Sequence, residues 1–234
     1  MPSNGDFVTR RLPASFIEPW DQWLREAVSD SRDQLGERWL ENYLTSPVWR
    51  FTLSPGTAGE LAWAGVLIPS VDRVGRYFPL TLACALAASS NPVEIMSRAQ
   101  SWYDSAERLI LSCLEDEFDL AGFDRQVEEL GAPQGDGPSA ALPPGSPTHR
   151  RMPLPEHPGD VCPELLRHAL GELLFAYSVW WSRGSELVEP SLLVCQGLPP
   201  SRGFAAMLAG DWARWGWGQA RDGERREDRT WGGT

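Results

Sequence analysis

The chain has 234 residues, 42% of them hydrophobic, which suits one large soluble domain or two small ones. Its formal net charge of −11 argues against nucleic acid or an anionic membrane surface as the main partner, since both need a basic face. All 21 basic residues are Arg, so the lysine of Schiff-base, P-loop and kinase chemistry is excluded.

The polar start, Met1 to Arg11, lacks the charged-then-apolar pattern of a signal peptide. Phe16, Ile17, Trp20, Trp23, Leu24, Ala27 and Val28 then recur at helical spacing, with Ser15 and Glu18 placed as a capping box and Pro19 in the first turn. Leu35, Trp39, Leu40, Tyr43 and Leu44 predict a second, shorter helix. Pro47 ends it. Val48 to Leu53 and Leu61 to Ile68 read as strands joined by a turn at Pro55-Gly56, and Tyr77 to Leu86 as a third strand, apolar enough to be buried on both faces.

Asn91-Pro92 opens the longest periodic segment, a helix with its core face running from Ile95 to Leu114. A short helix over Phe123 to Leu130 follows. Gly131 to Thr148 holds five Pro and four Gly and reads as a flexible insertion within one domain spanning 1–217. Beyond it come a helix from Pro163 to Ala176, strands at Tyr177 to Ser182 and Ser191 to Cys195, and a helix starting at Phe204. The segment 218–234 is a frayed polar tail. Helices interleaved with grouped strands predict an α/β fold, a three-layer α-β-α sandwich around a mixed, partly antiparallel sheet.

No familiar catalytic arrangement is present. There is no Gly-x-Ser-x-Gly elbow, and the full dinucleotide and calcium-loop patterns are absent around Gly216 and Gly135. His149, His157 and His168 lack metal-ligand spacing, so neither metal nor cofactor is expected. Cys84, Cys113, Cys162 and Cys195 are widely spaced and read as small core residues in a reducing compartment. The acidic run at Glu115, Asp116, Glu117 and Asp119 reads as a solvated helix end, with an acidic docking patch as the functional alternative.

Two features remain. Twelve Trp is an unusual number; most sit at core positions, whereas Trp212, Trp215 and Trp217 either cover a domain edge or form an aromatic contact site. The loop after the second strand carries Asp72, Arg73 and Arg76. Asp72 either caps its own turn, pairing with Arg50, Arg73 or Arg76, or leaves the two loop arginines free for an anionic group on a partner.

Several segments carry a family resemblance. They are Pro2-Ser3-Asn4-Gly5-Asp6-Phe7-Val8, Leu12-Pro13, Trp20-Asp21-Gln22-Trp23-Leu24, Ser46 to Phe51, Trp63-Ala64-Gly65-Val66, Pro69 to Leu80, Trp180-Trp181 and Gly197-Leu198-Pro199. Together they resemble TagF, the type VI secretion-associated family, from Pro2 to about Trp212. Members of that family usually begin with a short strand ahead of a Leu-Pro-Ser motif. This chain starts within the motif, with Asn4 in place of the usual Arg, which bears on one edge of the sheet.

The resemblance implies a cytoplasmic, non-enzymatic protein that restrains assembly or firing of a type VI secretion system after translation. The implied means is binding of a forkhead-associated scaffold protein, and no catalytic residue is carried over. The expected partner-binding residues are Gly5, Asp6, Phe7, Arg50, Asp72, Arg73 and Arg76. Two alternatives stand beside this: a structural accessory subunit of the apparatus, and a hydrolase using Asp6 and Asp72 as a carboxylate pair.

Overall fold

A computed structural model describes residues 10–72, 74–115, 118–134, 159 and 162–218. Helix α1 (Ala14–Leu35) opens the described fold. The helix begins early enough that Pro19 is its sixth residue, inside the helix and past the expected first turn, and the buried stripe is Phe16, Trp20, Trp23, Leu24, Ala27, Ser31 and Leu35. The anticipated capping box is not formed: Pro13 precedes the helix and no side chain caps it. A 3₁₀ turn (Gly36–Arg38) leads into α2 (Trp39–Leu44), so the second predicted helix is split, its first residue completing α1.

Strands β1 (Trp49–Leu53) and β2 (Ala62–Ile68) are buried along their whole length. Strand β3 (Leu80–Leu86) is only partly buried, which differs from the expectation of burial on both faces. The reason is topological. The sheet order is β3-β2-β1-β4-β5, with β4 at Tyr177–Ser182 and β5 at Ser191–Gln196, so β3 lies at an edge. All four pairings are antiparallel, which corrects the expectation of a mixed sheet. A parallel pair needs a crossover between neighbours. Here the one long connection, β3 to β4, skips over β2 and β1 and lands beside β1 in antiparallel sense.

The predicted long helix is two helices, α3 (Pro92–Arg98) and α4 (Gln100–Ser112), broken at Ala99, whose ψ of 36° leaves the helical region. No Pro or Gly marks the break. Packing sets it: α3 lies on β1, β2 and β4, while α4 lies on β2 and β3. Asn91 caps α3 as expected, its Oδ1 accepting from the amides of Val93 (3.0 Å) and Glu94 (3.3 Å), with Pro92 in the first helical position. Asp119 caps α5 (Leu120–Leu130) in the same way. Helix α6 (Cys162–Leu173) precedes β4, and a 3₁₀ turn (Ser201–Gly203) leads into α7 (Phe204–Ala209). The centre of the Pro/Gly-rich insertion, residues 135–148, and the tail 219–234 lie outside the described residues, as do His149 and His157.

The sheet separates two cores, completing the expected three layers. On one face Trp49, Phe51, Trp63, Trp180 and Leu193 meet Phe16, Trp20, Trp23 and Phe204 of α1 and α7. On the other, Ala62, Ala64, Val66, Ile68 and Leu82 meet Tyr103, Ala106 and Ile110 of α4. The alternation follows from the two-residue period of a strand. Gly65 sits where β2 passes Phe51: an added Cβ would lie 2.4 Å from both the Phe51 ring and the Leu82 carbonyl. Only glycine fits there.

The cysteines divide. Cys113 and Cys195 are buried, and burial pushes both thiols up to about 12. Cys84 is half-buried on β3, and Cys162 is exposed at the start of α6, so it is not a core residue. Trp212 and Trp217 cover a domain edge. Trp212 packs edge-on against Trp49 and Trp217, and the Trp217 indole donates to the Gly203 carbonyl at 2.8 Å.

Candidate functional site

The β2–β3 loop builds its own scaffold. Asp72 Oδ1 accepts from the amides of Val74 (3.0 Å) and Arg76 (2.8 Å), and Oδ2 pairs with Arg76 Nε. The Asp72 amide donates to the Arg76 carbonyl at 2.9 Å, and Gly75 supplies the φ of +80° that closes the turn. Desolvation acts to raise the Asp72 pKa, but the hydrogen bonds from Arg76 and Val74 outweigh it and hold the carboxyl below its ordinary range. Beneath the turn, a bridge joins Val71 to Tyr77. The buried Tyr43 hydroxyl donates to the Ser70 carbonyl (2.9 Å) and accepts from the Ser70 amide (3.0 Å). Arg32 lies 4.3 Å from the Trp39 ring centroid and 6.0 Å from that of Tyr77, bracing the same corner from α1.

Arg50 stands apart from this loop. Being an even-numbered residue of β1, it points away from Phe51 and into the α4 layer, where its side chain is 3% exposed. Its guanidinium binds Glu107 and Asp104 of α4, the latter at 2.7 Å, with Gln100 Oε1 at 3.3 Å. Arg183 joins from the other side, 2.7 Å from Asp104. The hydrogen bond from Arg50, aided by the charges of Arg50 and Arg183, lowers the Asp104 pKa. The expected contact surface therefore does not gain the Arg50 head group: its donors are spent inside the fold.

A groove of about 830 Å³ runs along β3, walled by α1 on one side and α5 on the other. Phe16, Trp20, Phe78, Leu82 and Phe123 make it apolar, and Asp72 and Arg76 stand on its wall. Its entrance is held by residues that the sequence reading passed over. Arg11 binds Asp124 (2.7 Å) and Glu128 (2.7 Å) of α5, and Arg10 lies 3.8 Å from Asp124. The signal was present as an Arg-Arg doublet and a carboxylate pair four residues apart on a helix, but nothing local links the two. Of the expected contact residues, Gly5, Asp6, Phe7 and Arg73 lie outside the described residues. Asp72 and Arg76 share the groove, and Arg50 does not line it.

Chemically the groove offers apolar area with ion pairs at its rim, the composition of a surface that accepts a partner's side chains. Among the described residues, no group of three or more His, Cys, Asp or Glu stands close enough to hold a metal ion. No helix among them is long and apolar enough to cross a membrane.

Residues 1–130 match the TagF N-terminal domain, type VI secretion system-associated. The chain is also similar to a solved structure, PA0076 from Pseudomonas aeruginosa PAO1, at 40% identity and a TM-score of 0.78, over 90% of this chain and 91% of that one. No curated protein matches the chain. The family match ends before β4, yet β4 pairs with β1 and completes the sheet, and the structural match extends over that part as well. On both the family match and this likeness, the chain belongs to the type VI secretion-associated TagF family.

Proposed function

We propose that this protein is a cytoplasmic, non-enzymatic negative regulator of a type VI secretion system, acting after translation by binding a forkhead-associated scaffold protein. The carrying observation is membership of the TagF family. The groove beside β3 supports a binding role, since it pairs a broad apolar floor with a preorganised charged turn at Asp72 and Arg76. Sequestration lowers the free scaffold pool by mass action, so repression scales with the amount of this protein.

Deletion of the gene separates the readings. A repressor's loss raises secretion of the system's effectors, and loss of a structural subunit abolishes it. Purified protein and scaffold are then mixed in a titration calorimeter. Saturable binding is expected, and the Arg73→Ala/Arg76→Ala variant is expected to lose both binding and repression with its melting temperature nearly unchanged. Unchanged repression in that variant removes the turn from the contact surface.

A further inference from the structure

Among the described residues, the helical layer over β1 to β4 stops short of β5. Packed helices lie about 8–10 Å apart and strands about 4.8 Å apart, so one helix covers about two strands. Helix α4 lies on β2 and β3, and α3 on β1, β2 and β4. Helix α6 places Leu170 against Tyr177 and Val179 of β4. On the same face β5 presents Leu192 and Val194, paired across the ladder with Trp181 and Val179, and these two are 58% and 44% exposed.

The orientation of α6 adds a second wall. Its Glu164 accepts from Asn91, the cap of α3, at 3.1 Å, so that side of the helix faces α3. Leu170 and Leu174 face the sheet. At about 100° per residue, Leu166 and Leu173 then point away from α3, toward the space over β5. They are 46% and 78% exposed. Four large aliphatic side chains from two elements thus border one open trough, more than the scattered exposed leucines of an ordinary surface.

The trough has an acidic border. Glu172, 3.8 Å from His168, is exposed at the outer edge of α6 next to Leu173, and Glu186 and Glu189 are exposed in the turn that leads into β5. The nearby arginines are engaged elsewhere, Arg167 with Glu164 and Arg183 with Asp104. A second copy would bring the same acidic border against its own, in a protein already at −11.

The geometry points to this trough as the docking site for an amphipathic helix of a partner protein, with an aliphatic face flanked by Arg or Lys. Such a helix takes the position in the layer that none of the described helices fills, its apolar face on Leu192 and Val194 and its flank on Leu166 and Leu173. Its basic residues meet Glu172, Glu186 and Glu189. This rests on the binding role proposed above and names a second contact surface for it, separate from the groove at β3.

The test uses the full chain and two labelled synthetic peptides of roughly 18 residues, about five helical turns. Both carry a leucine face; one has an Arg/Lys polar face and the other a Glu polar face. Fluorescence anisotropy is expected to show saturable binding of the basic peptide and none of the acidic one. The Leu173→Glu/Leu192→Glu variant is expected to weaken the basic peptide about tenfold or more. That variant is more acidic than the parent, so mere charge attraction predicts tighter binding and overturns the proposal if seen. Equal binding by parent and variant, or no saturable binding by the parent, also overturns it. So does sedimentation showing a parent dimer that the variant dissolves, because a second copy then fills the trough. Should the variant melt early, Leu192→Thr with Leu173→Gln replaces it, both residues keeping good local propensity. No scaffold protein enters this assay, so its failure is distinct from failure of the regulatory reading, which the deletion phenotype decides.

Discussion

The two faces of the sheet solve the same problem with opposite materials. On the α1 face the rings of Phe16, Trp20, Trp23, Phe51, Trp63 and Trp180 form a continuous cluster, with centroid distances from 4.2 to 5.8 Å in the contacts that join them. On the α4 face the cluster is mainly aliphatic, with alanines at Ala62, Ala64 and Ala106 that let the helix approach closely. Into that face β1 also sends Arg50, neutralised by Asp104 and Glu107. The aromatic face gains stability from buried area and from uncharged indole hydrogen bonds, such as Trp23 to the Pro199 carbonyl and Trp49 to the Met207 carbonyl. The other depends on charge pairing, and is therefore sensitive to pH.

Adjacent tryptophans on β4 test this most severely. Trp180 is fully buried on the aromatic face, and Trp181 is half-buried on the other, edge-on to Tyr103 at 4.7 Å. Trp180→Ala is expected to cost about 3–5 kcal/mol and Trp181→Ala about half of that, measured by urea unfolding. Equal losses would dissolve the contrast between the faces.

Arg50→Met probes the ionic face. Its carboxylate partners are partly exposed and regain water, so the expected cost is about 1–3 kcal/mol rather than the larger figure for a fully buried pair. The pH dependence gives the sharper reading. Asp104 has a lowered pKa in the folded protein, so its contribution is present above its unfolded value of about 3.9 and is lost as pH falls through the folded value. The stability gap between parent and Arg50→Met is expected to narrow below about pH 4. The gap between parent and Trp180→Ala is expected to hold over the same range.

Smaller effects are expected at the β2–β3 corner. Tyr43→Phe removes the hydroxyl that accepts from the Ser70 amide and donates to the Ser70 carbonyl, which keeps the Phe78 amide at 3.1 Å, so a cost of about 1–2 kcal/mol is expected by thermal unfolding. Asp72→Asn changes the melting temperature least. It is expected to speed hydrogen exchange at the Val74 and Arg76 amides near neutral pH, and acid is expected to do the same in the parent. The lowered Asp72 pKa places that contribution above the ordinary carboxylate range and removes it as pH falls. Unaltered exchange would mean that the backbone bridge alone holds the turn.

The sequence by itself determined which segments become helices and strands wherever periodicity was strong. The apolar stripe of α1, the Asn91-Pro92 start of α3 and the alternating residues of β1, β2 and β4 were legible because each depends on neighbours in the chain. The motifs around Trp49, Gly65 and the Pro69 to Leu80 segment also sufficed for the family. Tertiary structure alone decided the rest. Antiparallel placement of β4 beside β1, the break at Ala99 and the edge position of β3 arise from which surfaces must be covered, and no local pattern encodes that. The same holds for the candidate site. Asp72 and Arg76 were recognisable as a turn, but Arg50 was assigned to them by charge and sequence proximity. The two-residue period of β1 instead turned it toward α4, whose carboxylates lie more than fifty positions away in the chain. Charge shows what a residue can pair with, and only the fold shows what lies within reach.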